Sequence, residues 1–156
     1  MSIRAVYKRI PANLVDKLED DDFDYDELSG LPMLNLDKNW DALHVFLTGQ
    51  KEEDESPLSR AIHGSEPVGD IENGESVLTA EDVEKIDKAF QKLNPAECAE
   101  RMRNIDPEEL EEMDIYSFDA DCVDDSIEEA LANFDLLKDF YTQAAKNKQA
   151  VLIRLG

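Results

Sequence analysis

The sequence predicts an α+β fold: a single domain spanning residues 1–156, with a small mixed sheet that includes both chain ends, packed against several helices. Three observations predict it. Apolar residues recur at helical spacing through much of the chain, β-prone segments stand near both ends, and the chemistry of a helix start is written three times between them. A chain of 156 residues can bury one real core and is too short for two large ones.

In chain order, residues 3–10 carry Val6, Tyr7 and Ile10 before Pro11 stops the run, which reads as a strand. A short helix follows, with Leu14, Val15 and Leu18 on one side. From Glu19 to Glu27 there are seven acids among nine residues. Their mutual repulsion opposes both helix and strand, so the stretch reads as a loop with Phe23 and Tyr25 as anchors. Leu36 to Gly49 reads as a helix: Asp37 caps its start, Trp40, Leu43, His44 and Leu47 share one stripe, and Gly49 supplies a left-handed residue after its end. Gln50 to Ser56 is charged and loop-like, and Pro57 to Ile62 forms one or two helical turns. Gly64 to Gly74, with Pro67 and Gly69, reads as irregular, and Ser76 to Leu78 as a short strand.

Three helix starts then follow. Thr79 precedes Ala80, and both Asn94-Pro95-Ala96-Glu97 and Asp106-Pro107-Glu108-Glu109 place a capping side chain, a proline at the first helical position and a glutamate able to reach back to the cap. Val83, Ile86, Phe90 and Leu93 make the buried stripe of the first of these helices. The last long helix runs from about Val123 to about Ala145 on Val123, Ile127, Ala130, Phe134, Leu137 and Tyr141. Its charges suit the helix dipole, with Glu128 and Glu129 early and Lys138 and Lys146 late. Ala150 to Leu155 closes the chain as a strand that pairs in the sheet containing the first one. There is no internal repeat.

Charge bounds the partners. Sixteen Lys and Arg against 38 Asp and Glu give a formal charge of −22, which repels nucleic acid and anionic membrane and favours cations or basic proteins. Because the chain is 42% hydrophobic, the acidity reads as a solvated surface on a folded protein rather than as disorder. Met1 to Ala5 show no export leader and no segment is long and apolar enough to cross a bilayer, so a cytoplasmic location is expected. Cys98 and Cys122 fall in separate predicted helices with no CxxC spacing, which gives neither a zinc site nor a disulfide framework and leaves two reduced thiols. Neither the run with Asp20, Asp22, Asp24 and Asp26 at alternate positions nor the one from Asp106 to Glu129 matches the calcium loop of an EF-hand, each lacking glycine at the sixth position and glutamate at the twelfth, so no metal and no cofactor is assigned.

One constellation suits a ligand. Trp40 and His44 are one helical turn apart, so indole and imidazole share a face, and desolvation beside the large ring lowers the imidazole pKa. Asp41, Arg60, His63 and Tyr116 can join from neighbouring turns, supplying an anion-binding fork and a hydroxyl to a small polar ligand. The bland reading of the same residues is a core tryptophan beside a histidine that satisfies a buried carbonyl. No catalytic residue is assigned, because no nucleophile-base motif or phosphate-binding loop is present.

The segment Asp37-Lys38-Asn39-Trp40-Asp41-Ala42-Leu43-His44-Val45-Phe46-Leu47-Thr48-Gly49, followed by Pro57-Leu58-Ser59-Arg60-Ala61-Ile62-His63-Gly64, resembles the signature of the YfbM-like family of small bacterial proteins. The early strand, the Met113-Asp114-Ile115-Tyr116 stretch and the final helix and strand are placed as in that family. The resemblance implies a single α+β domain in a bacterial cytoplasm and carries no catalytic residue with it.

Two functional readings follow. The first is a non-enzymatic cytoplasmic binding protein whose acidic face meets a basic protein partner, in an inhibitory or immunity-like role. The second is a small-molecule-binding protein or enzyme built around Trp40 and His44. An acidic surface shared by a whole lineage is the alternative to both, and the sequence assigns no oligomeric state.

Overall fold

The computed structural model describes residues 3–18, 24–67 and 75–156. Five strands form one sheet in the order β2-β1-β5-β4-β3, where β1 is Ala5–Pro11, β2 is Met33–Asp37, β3 is Glu66–Pro67, β4 is Glu75–Leu78 and β5 is Gln149–Leu155. Both chain ends lie at its centre. β1 and β5 pair over their whole length, from Ala5 against Leu155 to Pro11 against Gln149. Arg4 and Gly156 then exchange backbone hydrogen bonds of 3.2 and 3.0 Å just outside the ladder. Every pairing among the described residues is antiparallel, so the sheet is not mixed as expected. The reason is that the chain enters each neighbouring strand from the opposite end, with no crossover of the kind that sets strands parallel.

Among the described residues the α-helices are six: α1 Trp40–Thr48, α2 Pro57–His63, α3 Ala80–Lys92, α4 Pro95–Arg103, α5 Pro107–Glu112 and α6 Val123–Lys146. The three helix starts lie where the sequence puts them, but their capping differs. At Thr79 the reciprocal box forms with Asp82, whereas Asn94 and Asp106 accept from the amides of Ala96 and Glu108 two residues on. Helix α1 begins later than expected, with Asn39 in place of Asp37 at its cap position. Leu36 and Asp37 belong to β2, because Leu34 and Leu36 alternate inward against β1 and the core. Asp37 has φ +53° at the strand end and is no cap, and Asn39 at the cap position makes no side-chain bond. Gly49 does close α1 in the left-handed conformation. The turns at Ala12–Lys17 and Tyr25–Leu28 are 3-10. The expected loop at 19–23 with its Phe23 anchor, the side chain of Tyr25, and the irregular stretch at 68–74 lie outside the described residues.

The main core sits between one sheet face and α1, α2, α3, α4 and α6. Phe134 meets Phe46 and Phe90 edge-on at 6.2 and 5.6 Å, and Tyr141 stacks on Phe90 at 6.0 Å. A smaller cluster of Ile10, Leu18, Leu28, Val77, Ala150 and Leu152 covers one end of the opposite sheet face. Cys98 is buried in α4, and Cys122 is exposed as the last residue of a 3-10 turn, Ala120–Cys122, that leads into α6; both are free thiols. None of the described helices is long and apolar enough to cross a membrane.

Helix α2 has only seven residues, too few to persist alone, and the fold holds it by its carbonyl end. Tyr141 donates to the carbonyl of Ala61 at 2.6 Å, Tyr7 to Ile62 at 3.0 Å and Ser76 to His63 at 2.9 Å. Three orphan carbonyls of the helix terminus thus receive hydroxyls from α6, β1 and β4. Gly64 follows with φ +82°, and a Cβ there would stand 1.9 Å from Ser76 Oγ. Burial raises the pKa of both tyrosines, so they remain donors throughout the neutral range. Tyr7→Phe or Tyr141→Phe leaves a buried carbonyl without its donor and should each lower the unfolding free energy by about 1–3 kcal/mol. Urea denaturation checks this: the midpoint falls while the slope stays that of the wild type.

Candidate functional site

Helices α1 and α2 turn facing polar stripes to each other: Trp40, Asp41 and His44 on α1, Ser59 and His63 on α2. His44 and Ser59 are both fully buried. The Asp54 amide donates to Ser59 Oγ at 2.9 Å, and the same oxygen lies 2.8 Å from His44 Nε2. The His63 ring lies 4.8 Å from that of His44 at 71°, and its Nδ1 is 3.5 Å from a Glu53 carboxylate oxygen. Among the described residues His44 Nδ1 and His63 Nε2 are buried without a hydrogen-bond partner.

A second layer closes over these rings. Trp40 meets His63 edge-on at 5.8 Å and stacks on Tyr116 at 5.7 Å. The indole N–H donates to the Ile3 carbonyl at 3.1 Å, and the Ile3 amide donates to the Tyr116 hydroxyl at 2.8 Å. These two aromatic residues thereby clamp the backbone of the chain's own N-terminal segment. Asp41, 1% exposed, accepts the Tyr116 amide at 2.8 Å and pairs with Lys51, whose ammonium also donates to the Asp114 carbonyl at 3.2 Å. One carboxylate thus ties α1 to the loops on either side of it.

Five of the six sequence-predicted residues, Trp40, Asp41, His44, His63 and Tyr116, come together in this way. Arg60 turns aside, its guanidinium facing Asp82 on α3 at 3.9 Å. The arrangement brings no anion-binding fork to the histidines, and the polar groups of Trp40, Asp41 and Tyr116 are engaged within the chain. Among the described residues no three His, Cys, Asp or Glu side chains converge to hold a metal ion. Sequence reasoning missed Lys51, Glu53, Asp54 and Ser59. Ser59 had a readable signal, since it stands four residues before His63 and so shares its helix face. The loop residues had none, because their partners are set by the path of the chain after Gly49.

Burial, and then the neighbouring His63, lower the pKa of His44 from 6.5 to about 4, and burial also lowers that of His63. The folded state prefers both rings neutral. The contribution of His44 to stability is fully present above its unfolded pKa of 6.5 and is lost as pH falls through the folded value of about 4. That loss is on the order of 2–3 kcal/mol. Protonation of surface carboxylates relieves repulsion over part of the same range, so the difference between wild type and His44→Gln isolates the effect. The stability gap between them should narrow steadily from pH 7 to pH 4, read from urea midpoints. The ring carbon resonances of His44 should titrate close to pH 4 and well below those of a free imidazole.

With the geometry described, comparison places the chain among known proteins. A solved structure, "The Crystal Structure of a Protein of Unknown Function YfbM from Escherichia coli", superposes with a TM-score of 0.78 over 98% of this chain and 99% of that one, at 23% identity. This shows the shared fold. Protein YfbM of Escherichia coli (strain K12) is 35% identical over 95 residues, which are 59% of this chain and 56% of that protein; the chain thus matches little more than half the length of this relative. The profile of the family described as Domain of unknown function (DUF1877) matches residues 1–154, and the chain belongs to that family.

Proposed function

We propose that this protein is a non-enzymatic cytoplasmic binding protein whose acidic face docks a basic protein partner, in the manner of an inhibitor or immunity protein. The observation that supports the reading most directly is the state of the carboxylates between Asp106 and Glu129. All twelve belong to exposed residues, and no Lys or Arg lies among them in the sequence. Among the described residues only Asp124 of this set enters an ion pair, with Arg103 at 3.4 Å.

The fold draws little from this charge. Asp106 and Asp119 cap helix starts, and Glu108 and Glu109 suit the first turn of α5. Glu111 and Glu112 stand at the opposite end of the same six-residue helix, where the dipole opposes them. Such a field raises the encounter rate with a cation-rich surface and needs no particular residue order. The buried histidine cluster serves this reading as scaffold: Asp41 and Lys51 fix the loop that follows α5 against α1.

A pull-down from cytoplasmic extract tests the proposal, run at low salt and repeated at high salt. A basic protein should be retained at low salt and released as salt screens the interaction. Replacing Glu108, Glu109, Glu111 and Glu112 by Gln should slow association with that protein about tenfold or more while the melting temperature stays within a few degrees. Retention of no basic protein, or of one indifferent to both salt and these substitutions, would remove the support for the reading.

A further inference from the structure

The sheet has two faces, and among the described residues only one is roofed by helices. On the other, the cluster around Ile10, Val77 and Ala150 is covered by the 3-10 turns, while among the described residues the end nearer Val6 and Arg154 carries a groove of about 330 Å³. That is within the usual size of small-molecule sites. The register fixes what lines it. One cross-strand row runs Met33, Lys8, Leu152, and the next runs Val6, Arg154, Glu75, with Leu28 at the rim. The lining is largely apolar, and Met33 is 58% exposed on an edge strand.

Its charge runs against that of the molecule. Within a chain of formal charge −22, the described residues that line this groove include two cations and one carboxylate. Lys8 pairs with Leu152 and Arg154 with Val6, so the two cations are diagonal neighbours on adjacent strands. Such neighbours lie roughly 7–8 Å apart at the backbone, close enough for two long side chains to reach a common anion. Among the described residues neither is in an ion pair; Lys8 donates to the Leu28 carbonyl at 3.3 Å, and Arg154 stands beside Glu75 on β4.

We propose that this groove binds a small amphiphilic carboxylate. Lys8 and Arg154 hold the head group, and Val6, Leu152, Met33 and Leu28 cover an aliphatic tail of medium length. A basic peptide would meet the wrong charge here, and a second copy of this chain would bring its own large negative charge to the contact. The site is separate from the acidic face between Asp106 and Glu129 and does not depend on a partner docking there.

Isothermal titration of the whole chain with decanoate tests the proposal, with decanol and decyltrimethylammonium as comparison probes. Decanoate should bind saturably at one site per chain, more tightly than either comparison, and should shift the methyl resonances of Val6, Met33 and Leu152. Lys8→Gln with Arg154→Gln should weaken decanoate about tenfold or more while changing decanol little. Glu75→Gln, which removes the competing carboxylate without touching the strand core, should tighten decanoate, and this arm stands if the double variant fails to fold. The proposal is overturned if wild type shows no saturable decanoate binding, if the affinity ignores these substitutions, if the cationic probe binds equally well, or if the groove is closed by dimerisation in sedimentation.

Discussion

A helix of seven residues cannot hold itself, and the fastening of α2 is the constraint on which the rest of this fold turns. Its last carbonyls accept hydroxyls from α6, β1 and β4, and its buried Ser59 meets His44 of α1. Four elements distant in sequence therefore agree on one position for one short segment. Removing any donor leaves a polar atom stranded in the interior, and it is this penalty, larger than the net gain of each bond, that makes the arrangement specific. The paired chain ends set the sheet; α2 sets how the helices sit on it.

The same constraint gives the aromatic and histidine cluster its character. His44 is a wall of the α2 socket, with Nε2 at Ser59 and its ring packed against that of His63. Trp40 and Tyr116 hold the backbone of Ile3, so the N-terminal approach to β1 is locked to α1. A desolvated imidazole beside an indole is also how a catalytic base is made, which is why the pattern drew attention in the sequence. Contacts within the chain hold its geometry here, although His44 Nδ1 and His63 Nε2 are left without partners among the described residues. With the interior closed in this way, the surplus carboxylates are displaced to the surface, where water and salt moderate their repulsion.

Much of the fold was legible because it is local. Thr79, Asn94-Pro95 and Asp106-Pro107 mark helix starts by their own chemistry, the stripe from Val123 to Tyr141 is long enough to be unambiguous, and Gly49 ends α1 as its type requires. β2 was hidden because Leu36 fits the apolar spacing of the following helix as well as the alternation with Leu34. Only pairing with Tyr7 decides between them, and that contact is distant in sequence. The gathering of Trp40, Asp41, His44, His63 and Tyr116 was partly legible, since the first three share a helix turn. The departure of Arg60 toward Asp82 was not, because it depends on how α3 lies against α2. The hydroxyl socket was invisible for the same reason: Tyr7, Ser76 and Tyr141 are ordinary strand and helix residues until the fold brings them to one helix end.

Native-state hydrogen exchange of α2 is the most direct test of this account. If the socket binds α2 into the cooperative core, the amides of Ala61, Ile62 and Gly64 should exchange only through global unfolding, with the same opening free energy and denaturant dependence as the central β1 and β5 amides. Exchange of those α2 amides through a local opening markedly easier than global unfolding, and insensitive to denaturant, would contradict it.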